Sequence, residues 1–438
     1  MTLNKMLTTI NGKPCPCGRE HHVSVKVYCG KGEISKLPEA MSSLGVSKAF
    51  VLSDKNTQKA AGERVYSVLS ENGLCFSGYI FNEDRVEPDE KSVGSAIMNL
   101  DRTADVIVAV GSGVINDIGK IVSAVSDKPL ITVATAPSMD GYASATSSMT
   151  SAGVKVSLPS KCANVVIGDT DILKNAPIDM LKSGLGDMLA KYVSITEWRI
   201  ANLLLGEYYC EAVADAVRGS LKRCVDNKKG LLLREDEAVE AVFEGLIITG
   251  IAMTYAGLSR PASGVEHYLS HVWDMRSVEF NEPCAFHGLQ CAVGTLISAR
   301  IYEKVKETVP NKKKALSYAK NFSLNAWNER LRTFLGKAAE PMIDLEKREG
   351  KYSVEKHAKR LDLITKNWDK IISIINEELP TAKEIEDILD SIEAPKTLSA
   401  LGLDEAILPE TFKASKDIRD KYVLSRLCWD LGIIDEVV

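Results

Sequence analysis

The segment Asp105–Val110 reads DVIVAV and passes without a break into Gly111-Ser112-Gly113. Its five consecutive apolar residues, with no polar alternation, predict a strand that is buried on both faces. Such a strand requires helices packed on either side of its sheet, and the residues after Gly113 have the pattern of a helix. A chain with this unit near its centre is therefore expected to form an open sheet flanked by helices.

The glycine turn alone does not establish a ligand site. Its spacing is G-x-G-x-x-N rather than the G-x-G-x-x-G of the common dinucleotide-binding turn, and tight strand-to-helix turns also use glycine for purely conformational reasons. Glycine does let backbone N–H groups at a helix start approach a phosphate. A second polar loop, Thr135–Ser138, follows the next predicted strand. Because ligands of open parallel sheets bind beyond the carboxyl ends of the strands, the two loops together favour a nucleotide site.

Short strand-like runs alternate with helical patterns through the first 175 residues. Strands are predicted at His22–Tyr28, Lys48–Ser53, Cys75–Phe81, Asp105–Val110, Leu130–Ala134 and Val165–Asp169, and helices at Lys55–Asn72 and Lys91–Asp101. Asp54 is placed to cap the first of these helices. This alternation predicts a parallel sheet covered on both faces.

No strand is predicted after about Pro177. Apolar residues there recur at helical spacing, as in the series Leu361, Ile364, Trp368, Ile371, Ile375 and Leu379. The length of 438 residues allows two domains with full cores. We predict an α/β, Rossmann-like parallel-sheet domain over residues 1–175 and an all-helical domain over residues 176–438.

Composition and charge exclude several classes of function. A formal net charge of −5 gives no reason to expect nucleic-acid binding. No uncharged apolar run approaches the ~20 residues of a membrane span, and the first residues lack the apolar core of a signal peptide. Eight of the ten cysteines are scattered along the chain, which suits reduced thiols. These observations predict a cytoplasmic protein.

Three of the six histidines, His267, His271 and His287, fall within 21 residues. His267 and His271 are four apart, which places them on one face of a helix. Upstream, the stretch SGLGDMLAKY predicts that Asp187 stands early in an apolar helix. One carboxylate with two or three imidazoles forms a ligand set for a divalent transition metal with an open position. The alternative is that each histidine is a packed core residue and Asp187 a helix cap.

The N-terminal stretch Cys15-Pro-Cys17-Gly-Arg-Glu-His21-His22 allows two interpretations. Two cysteines and two histidines in eight residues offer zinc ligands. Zinc motifs usually keep two or more residues between their cysteines, which C-x-C does not. A tight polar hairpin leading into the first strand is the favoured interpretation.

Five motifs in order resemble one known family. They are GSGVINDIGK, TAPSMDGYAS, GLGDMLAKY followed by EW, EHYLSH, and HGLQCAVGT. Together they are similar to the glycerol-1-phosphate dehydrogenases, a branch of the superfamily of iron-containing alcohol dehydrogenases, glycerol dehydrogenases and dehydroquinate synthases. The bacterial, nickel-using members are the nearest match, including the CPCGREHH opening. After about residue 300 the resemblance is limited to helical character.

The resemblance implies roles for individual residues. It implies metal ligation by Asp187, His267 and His287, substrate contact by Asp140, Asp187 and His271, and catalytic roles for His271, Asp140 and Lys191. It implies cofactor binding by Asp54, Gly111, Gly113, Val114, Ile115, Asn116, Asp117, Thr135, Ala136, Pro137, Ser138 and Ser144. Ser112 and Asn116 depart from the Gly and Asp of many relatives, which leaves NAD and NADP both open. A homodimer and one nickel, zinc or iron ion are also implied.

The expected reaction is reversible reduction of dihydroxyacetone phosphate, a phosphorylated triose, to sn-glycerol 1-phosphate. A metal stabilises negative charge that develops on the ketone oxygen, and His271 relays a proton. Lys191 lies four residues after Asp187 and is therefore expected on the same helix face. Lys191, or alternatively Arg260, is the candidate cation for the phosphate, although a surface lysine at position 191 is equally expected. The alternatives are dehydrogenation of unphosphorylated glycerol or another polyol, a cyclase that recycles NAD, and a non-catalytic nucleotide-binding protein.

Overall fold

The computed structural model of this protein describes residues 2–152 and 154–438. Its strands are β1 Lys26–Gly30, β2 Lys48–Asp54, β3 Cys75–Phe81, β4 Val106–Gly111, β5 Leu130–Ala134, β6 Thr146–Ser151, β7 Val154–Pro159 and β8 Val165–Asp169. Six of them form one parallel sheet in the order β1-β8-β5-β4-β2-β3, and β6 pairs with β7 as an antiparallel hairpin.

Most of the remaining chain is helical. The helices of the first 258 residues are α1 Leu3–Thr9, α2 Leu37–Ser43, α3 Lys55–Thr57, α4 Glu63–Glu71, α5 Glu90–Met98, α6 Gly113–Ser126, α7 Thr170–Leu173, α8 Ile178–Leu189, α9 Lys191–Leu205, α10 Glu211–Asp226, α11 Lys228–Leu232 and α12 Asp236–Ala256. They continue with α13 Val265–Phe280, α14 His287–Lys306, α15 Lys312–Asn321, α16 Leu324–Leu335, α17 Ala339–Glu349, α18 Val354–Lys366, α19 Trp368–Glu378, α20 Ala382–Ser391, α21 Leu408–Ser415 and α22 Leu424–Asp430. A π-helical turn at Gln58–Gly62 joins α3 to α4, and 3₁₀ turns occur at Glu33–Lys36, Gly336–Ala338, Ser399–Leu401 and Glu405–Ile407.

The chain divides into two compact units, each formed by two separate stretches of the sequence. Unit 1 comprises residues 1–188 and 212–258, and unit 2 comprises residues 189–211 and 259–438. Unit 1 contains the sheet, and its helices include α12 from well beyond the strands. The predicted domains, 1–175 and 176–438, are each one continuous stretch, whereas each observed unit contains two stretches. The domain boundary after residue 175 stays a prediction.

The parallel sheet is the core of unit 1. Valine and isoleucine side chains of its central strands are buried, among them Val51, Val108, Val133 and Ile167, which lie in one cluster with residues of α2 and α4. Strands with both faces covered account for the unbroken apolar runs of the sequence. The predicted α/β class with a large helical part is confirmed by this sheet and its helices and by the solved structure described below.

Two local predictions need correction. The first strand runs from Lys26 to Gly30 and does not begin at His22, because the chain before it forms an N-terminal hairpin with isolated bridges between Asn11 and His21 and between Pro14 and Glu20. The hairpin of β6 and β7 was missed, since its serine- and threonine-rich first strand lacks the apolar alternation that marks a strand. Asp54 caps α3 as predicted, accepting hydrogen bonds from the backbone N–H groups of Asn56 and Thr57.

Within the residues that the structure describes, helix α12 alone is long and apolar enough to cross a membrane, by length and composition only. Most of its apolar stretch is buried inside the structure, with 78% of the residues in the window covered. Such burial is the character of a core helix.

Candidate cofactor loops and metal centre

Three predicted cofactor segments lie at the carboxyl ends of adjacent strands in unit 1. Asp54 is the last residue of β2, Gly111 ends β4, and Ala134 ends β5 immediately before Thr135. These strands are neighbours in the order β5-β4-β2, with Gly111 opposite Ala134 in the register. The chain runs from β2 outward to β3, then returns to β4 and continues in the other direction to β5. Such a reversal of strand order is where open α/β sheets bind ligands.

The turn after β4 brings the first two loops together. The hydroxyl groups of Ser112 and Ser138 are hydrogen-bonded to each other, and Ser112 makes no side-chain cap to the first turn of α6. That first turn contains Gly113, Val114 and Ile115, whose backbone N–H groups suit an anion. At Gly111, an added Cβ would lie 2.6 Å from Cβ of Ile115, so packing requires glycine there.

The polar residues of α6 hold the second loop. Asn116 is fully buried; its Oδ1 accepts from the Thr132 hydroxyl at 3.1 Å and its Nδ2 donates to the Gly141 carbonyl. Asp117 accepts from the backbone N–H of Ser148 at 3.2 Å, and burial raises its pKa. These contacts of Asn116 and Asp117 are all to protein groups, so direct cofactor contact by either side chain stays a prediction.

Lys120 is an organising residue that the sequence analysis missed. Its ammonium group is fully buried and donates to the Gly141 carbonyl, to the Ser144 hydroxyl at 3.1 Å and to the Thr146 carbonyl at 3.0 Å. Burial lowers the pKa of Lys120, although nearby Asp117 opposes this. The only sign of this role in the sequence was a lysine one turn beyond Asn116, on the same face of α6.

Helix α8 packs directly on the loop Thr135–Ser138. An added Cβ at Gly184 would lie 1.8 Å from the Pro137 carbonyl oxygen, so only glycine permits this approach. The Ser183 hydroxyl donates to the Ser138 carbonyl at 3.0 Å. One turn later, Oδ2 of the buried Asp187 accepts from the backbone N–H of Asp140 at 2.9 Å. The predicted metal ligand and the predicted substrate residue are thus joined within unit 1.

The expected position of Asp187 in its helix is wrong. Asp187 lies near the end of α8, which closes at Leu189, and not early in a helix. A new helix, α9, begins at Lys191, so Asp187 and Lys191 do not share one helix face. Lys191 is also not a surface residue: its side chain is fully buried and donates to the Ala262 carbonyl at 3.1 Å. The sequence contains no proline or polar break that would reveal the change of helix at Ala190.

Unit 2 gathers three potential metal ligands. His267 lies in the first turn of α13, His287 is the first residue of α14, and Cys291 stands one turn further along α14. One ligand atom from each of these residues lies within 4.8 Å of one from each of the others. The ring centres of His267 and His287 are 5.0 Å apart. The two histidines predicted from their clustering are therefore brought together by the packing of α13 against α14.

Hydrogen bonds orient both imidazole rings. Nδ1 of His267 faces Oε1 of Glu266 at 2.8 Å, and Nδ1 of His287 faces the Ser270 hydroxyl at 3.0 Å. In both rings Nε2 is then the nitrogen directed at the shared centre, and Nε2 of His287 lies 3.5 Å from Sγ of Cys291. A carboxylate or hydroxyl on the far nitrogen is the usual support of a metal-binding histidine. The donors present therefore fit a divalent metal.

Cys291 and Glu266 are site residues that the sequence analysis did not single out. Burial raises the pKa of the Cys291 thiol. The neighbouring His267 and His287 together lower this pKa by more than burial raises it, so the net shift is downward. The spacing HGLQC, with a cysteine four residues after His287, was the available sign. His271 lies farther away, with ring centres 6.0 Å from His287 and 6.5 Å from His267.

The guanidinium group of Arg260 is already paired with other residues of unit 2. Its guanidinium forms a two-pronged pair with Glu207, at 2.8 and 2.7 Å, and donates to the Tyr422 carbonyl at 2.8 Å. The side chain is 1% exposed. These contacts make Arg260 a weaker candidate for a substrate phosphate than the sequence suggested.

The comparisons with known proteins agree with this geometry. Residues 28–177 match the family described as iron-containing alcohol dehydrogenase. A glycerol-1-phosphate dehydrogenase [NAD(P)+] of Halalkalibacterium halodurans is 26% identical over 415 residues, which cover 94% of both chains. A protein with the same name from Geobacillus thermodenitrificans is 30% identical over 313 residues, which cover 69% of this chain and 76% of that one. The chain belongs to the glycerol-1-phosphate dehydrogenase family.

Solved structures extend this result for the fold. The crystal structure of glycerol dehydrogenase from Schizosaccharomyces pombe is similar with a TM-score of 0.61, covering 94% of this chain and 89% of that one at 17% identity. This chain therefore shares the fold of that glycerol dehydrogenase. The resemblance stated from the five motifs is confirmed.

Proposed function

We propose that this enzyme catalyses the reversible, NAD(P)H-linked reduction of dihydroxyacetone phosphate to sn-glycerol 1-phosphate. The observation that carries the proposal is its similarity to glycerol-1-phosphate dehydrogenases over 94% of both chains. Dehydrogenation of unphosphorylated glycerol is less favoured, because the glycerol dehydrogenase of S. pombe is only 17% identical.

Asp187, His267 and His287 are the proposed metal ligands. One carboxylate with two neutral imidazoles suits nickel, zinc or iron and leaves positions for a substrate. The support is chemical: Glu266 and Ser270 hold the far nitrogen of each histidine, and Asp187 is buried and oriented by Asp140. Cys291 is an additional donor beside the two histidines, and its soft sulphur favours nickel or zinc over harder cations.

The bound metal supplies a Lewis acid for the ketone oxygen, and the bound nicotinamide supplies the hydride. The chain's own contribution is binding and proton transfer. The strand-end residues Asp54, Gly111, Gly113–Asp117, Thr135–Ser138 and Ser144 would hold the dinucleotide, and the backbone N–H groups in the first turn of α6 would bind its phosphates. Asp140 contacts the substrate, and His271, one turn after His267, delivers a proton to the product oxygen.

The substrate phosphate requires a cation in the site. Lys191 remains a candidate, although its ammonium group donates to the Ala262 carbonyl. Because the Lys191 ammonium group is buried, its positive charge is costly unless an anion such as the substrate phosphate pairs with it. Lys191→Met is expected to raise KM for dihydroxyacetone phosphate more than it lowers kcat.

An activity assay tests the proposal. NADH or NADPH oxidation is followed with dihydroxyacetone phosphate, with nickel, zinc or iron added in turn to metal-depleted enzyme. Turnover with this substrate and little with dihydroxyacetone supports the assignment. Turnover with the unphosphorylated ketone alone would identify a polyol dehydrogenase, and no oxidation of either coenzyme would favour a cyclase or a binding protein.

The variants His287→Ala and His271→Ala together test which histidine binds the metal. It is expected to lose the metal and turnover together, whereas His271→Ala is expected to keep the metal and turn over more slowly. We further propose that the enzyme is a cytoplasmic homodimer, which light scattering on the purified full chain would check.

A further inference from the structure

The N-terminal hairpin folds two cysteines and a histidine onto one another. Its two sides are joined by hydrogen bonds from Gly12 N–H to the His21 carbonyl at 2.8 Å and from Cys15 N–H to the Arg19 carbonyl at 3.2 Å. At its tip, Gly18 N–H donates to the Cys15 carbonyl, and Gly18 has a φ of +82°. This tight turn returns the chain toward Cys15, which compensates for the short C-x-C spacing.

One ligand atom from each of Cys15, Cys17 and His21 lies within 4.8 Å of the others. Sγ of Cys17 is 3.4 Å from Nε2 of His21. In a tetrahedral zinc site with ordinary Zn–S and Zn–N bonds, neighbouring sulphur and nitrogen ligands are about 3.6 Å apart. The observed separation therefore already corresponds to one edge of a zinc tetrahedron.

The surroundings of His21 select the nitrogen that faces the sulphurs. The ring is 1% exposed, and its Nδ1 lies 3.2 Å from the Tyr255 carbonyl at the end of α12. Only a protonated Nδ1 can donate to a carbonyl, so the neutral ring carries its lone pair on Nε2, toward Cys17. This is the arrangement of metal-binding histidines, whose second nitrogen donates to a fixed acceptor.

We propose that Cys15, Cys17 and His21 bind a structural zinc ion, separate from the active-site metal. Binding forms two Zn–S bonds and one Zn–N bond and releases one proton from each thiol, while His21 stays neutral. Further coordination comes from water or an additional protein donor. Soft thiolates select zinc over the harder divalent cations, so this site differs in preference from one that contains a carboxylate.

The zinc ion fastens the N-terminal segment to helix α12. Besides the contact of His21 with Tyr255, Arg19 donates to the Ala256 carbonyl at 3.3 Å. Both carbonyls belong to the last turn of α12, where positive charge is favourable. Metal on Nε2 makes the Nδ1 proton a stronger donor, which reinforces the same contact. Loss of zinc is expected to open the hairpin to trypsin at Lys13 and Arg19.

Metal content of variants of the full chain tests the proposal. The double variant Cys15→Ser/Cys17→Ser is expected to contain one zinc ion fewer per chain than the parent by mass spectrometry. The matched control, Cys75→Ser/Cys162→Ser, changes two other cysteines of unit 1 and should keep the parent's content. His287→Ala should lose only the active-site metal. Equal zinc in the parent and the Cys15/Cys17 double variant would overturn the proposal.

A second measurement avoids the risk that the variant fails to fold. A mercurial reagent is titrated into the parent enzyme in the presence of a zinc-sensitive dye. Release of one zinc per chain by the mercurial, in the parent and not in the Cys15→Ser/Cys17→Ser variant, supports the site. An X-ray absorption spectrum of the zinc in the His287→Ala variant with at least two sulphur ligands supports it as well. Zinc bound only through nitrogen and oxygen in that variant would contradict it.

Discussion

The carboxylate of Asp187 accepts a hydrogen bond from the backbone N–H of Asp140, with 2.9 Å between Oδ2 and N. The contact joins the last turn of α8 to the loop that follows β5. Since Asp187 is fully buried, this bond restricts the direction in which its carboxylate points. The same residue thus orders the cofactor-side loop and, in the proposed function, ligates the metal, and the two roles can be separated by substitution.

Asp187→Asn is expected to abolish metal retention while preserving the loop. The amide oxygen still accepts from Asp140, but a neutral ligand lacks the charge that holds a divalent ion, so metal affinity should fall by more than about 100-fold. Metal titration measures the affinity for the ion, an activity assay measures turnover, and NADH fluorescence measures whether the cofactor loop still binds the coenzyme. The control is Asp179→Asn, an exposed position on the same helix. Metal retained in Asp187→Asn would exclude this residue as a ligand.

Gly184→Ala should damage the cofactor loop through packing alone. The added Cβ would meet the Pro137 carbonyl at 1.8 Å and Val242 at 2.8 Å, so α8 or the loop must move. Overpacking of this kind costs about 1–3 kcal/mol or more, and the displaced loop should raise the Kd for NADH. Gly94→Ala, in helix α5 with open space around its Cβ position, is the matched control and should stabilise by about 0.5–1 kcal/mol. Thermal unfolding and coenzyme titration of both variants distinguish these outcomes.

Glu266→Gln tests the carboxylate behind His267. Oε1 of Glu266 accepts from both His267 Nδ1 and Gly264 N–H, and a glutamine oxygen in that position can keep both bonds. Only the negative charge is then lost, and metal affinity is expected to fall by about 10–100-fold. An unchanged metal affinity would show that the charge of Glu266 does not act through His267.

The same substitution should not lower the stability of the metal-free protein. Burial, and after it the nearby Glu266, raise the pKa of Glu197 to about 8. Glutamine at position 266 removes this buried repulsion and brings an amide group toward Glu197, which is favourable for a buried carboxylate. The thermal unfolding midpoint of the metal-free variant should therefore equal or exceed that of the metal-free parent.

The central strands of the sheet, β2, β4, β5 and β8, were predictable because each is a local apolar run, whereas the edge strand β1 has a weaker pattern and its predicted bounds were wrong. The bounds of Cys75–Phe81, Leu130–Ala134 and Val165–Asp169 agree with the structure residue for residue. The pairing of His267 with His287 was suggested by clustering, which needs no knowledge of the fold. Strand patterns and the clustering of histidines are properties of the sequence itself, so they can be recognised without knowing the tertiary structure.

Other features depend on long-range packing and could not be read from the sequence. The break between α8 and α9 at Ala190 leaves no local mark, which is why Asp187 and Lys191 were wrongly placed on one helix face. Lys120 looks like an ordinary helix lysine until the Gly141 and Thr146 carbonyls surround it. Buried polar residues of this kind acquire their partners only in the tertiary structure.

The pH dependence of stability should carry a contribution from Lys416. Burial lowers the pKa of this lysine to about 7, against the opposing effect of Asp417. Between about pH 7 and the ordinary value of 10.5, the unfolded chain therefore binds more protons than the folded one. The unfolding free energy then rises with pH across that interval, by up to about 1.4 kcal/mol per pH unit from this residue.

Lys416→Met removes this contribution without leaving Asp417 unsatisfied. Asp417 still accepts from Trp327 Nε1 at 2.7 Å, from the Tyr352 hydroxyl at 2.6 Å and from Arg426 at 2.7 Å. The variant loses the ammonium group 3.6 Å from the centre of the Trp327 ring, but that group is costly to keep charged in this site. Relative to the parent, its thermal midpoint should be highest near pH 7 and decline toward pH 10. Lys347→Met, at an exposed ion pair, should show a constant difference instead. Parallel curves for Lys416→Met and the parent would mean that the folded lysine titrates near its ordinary value.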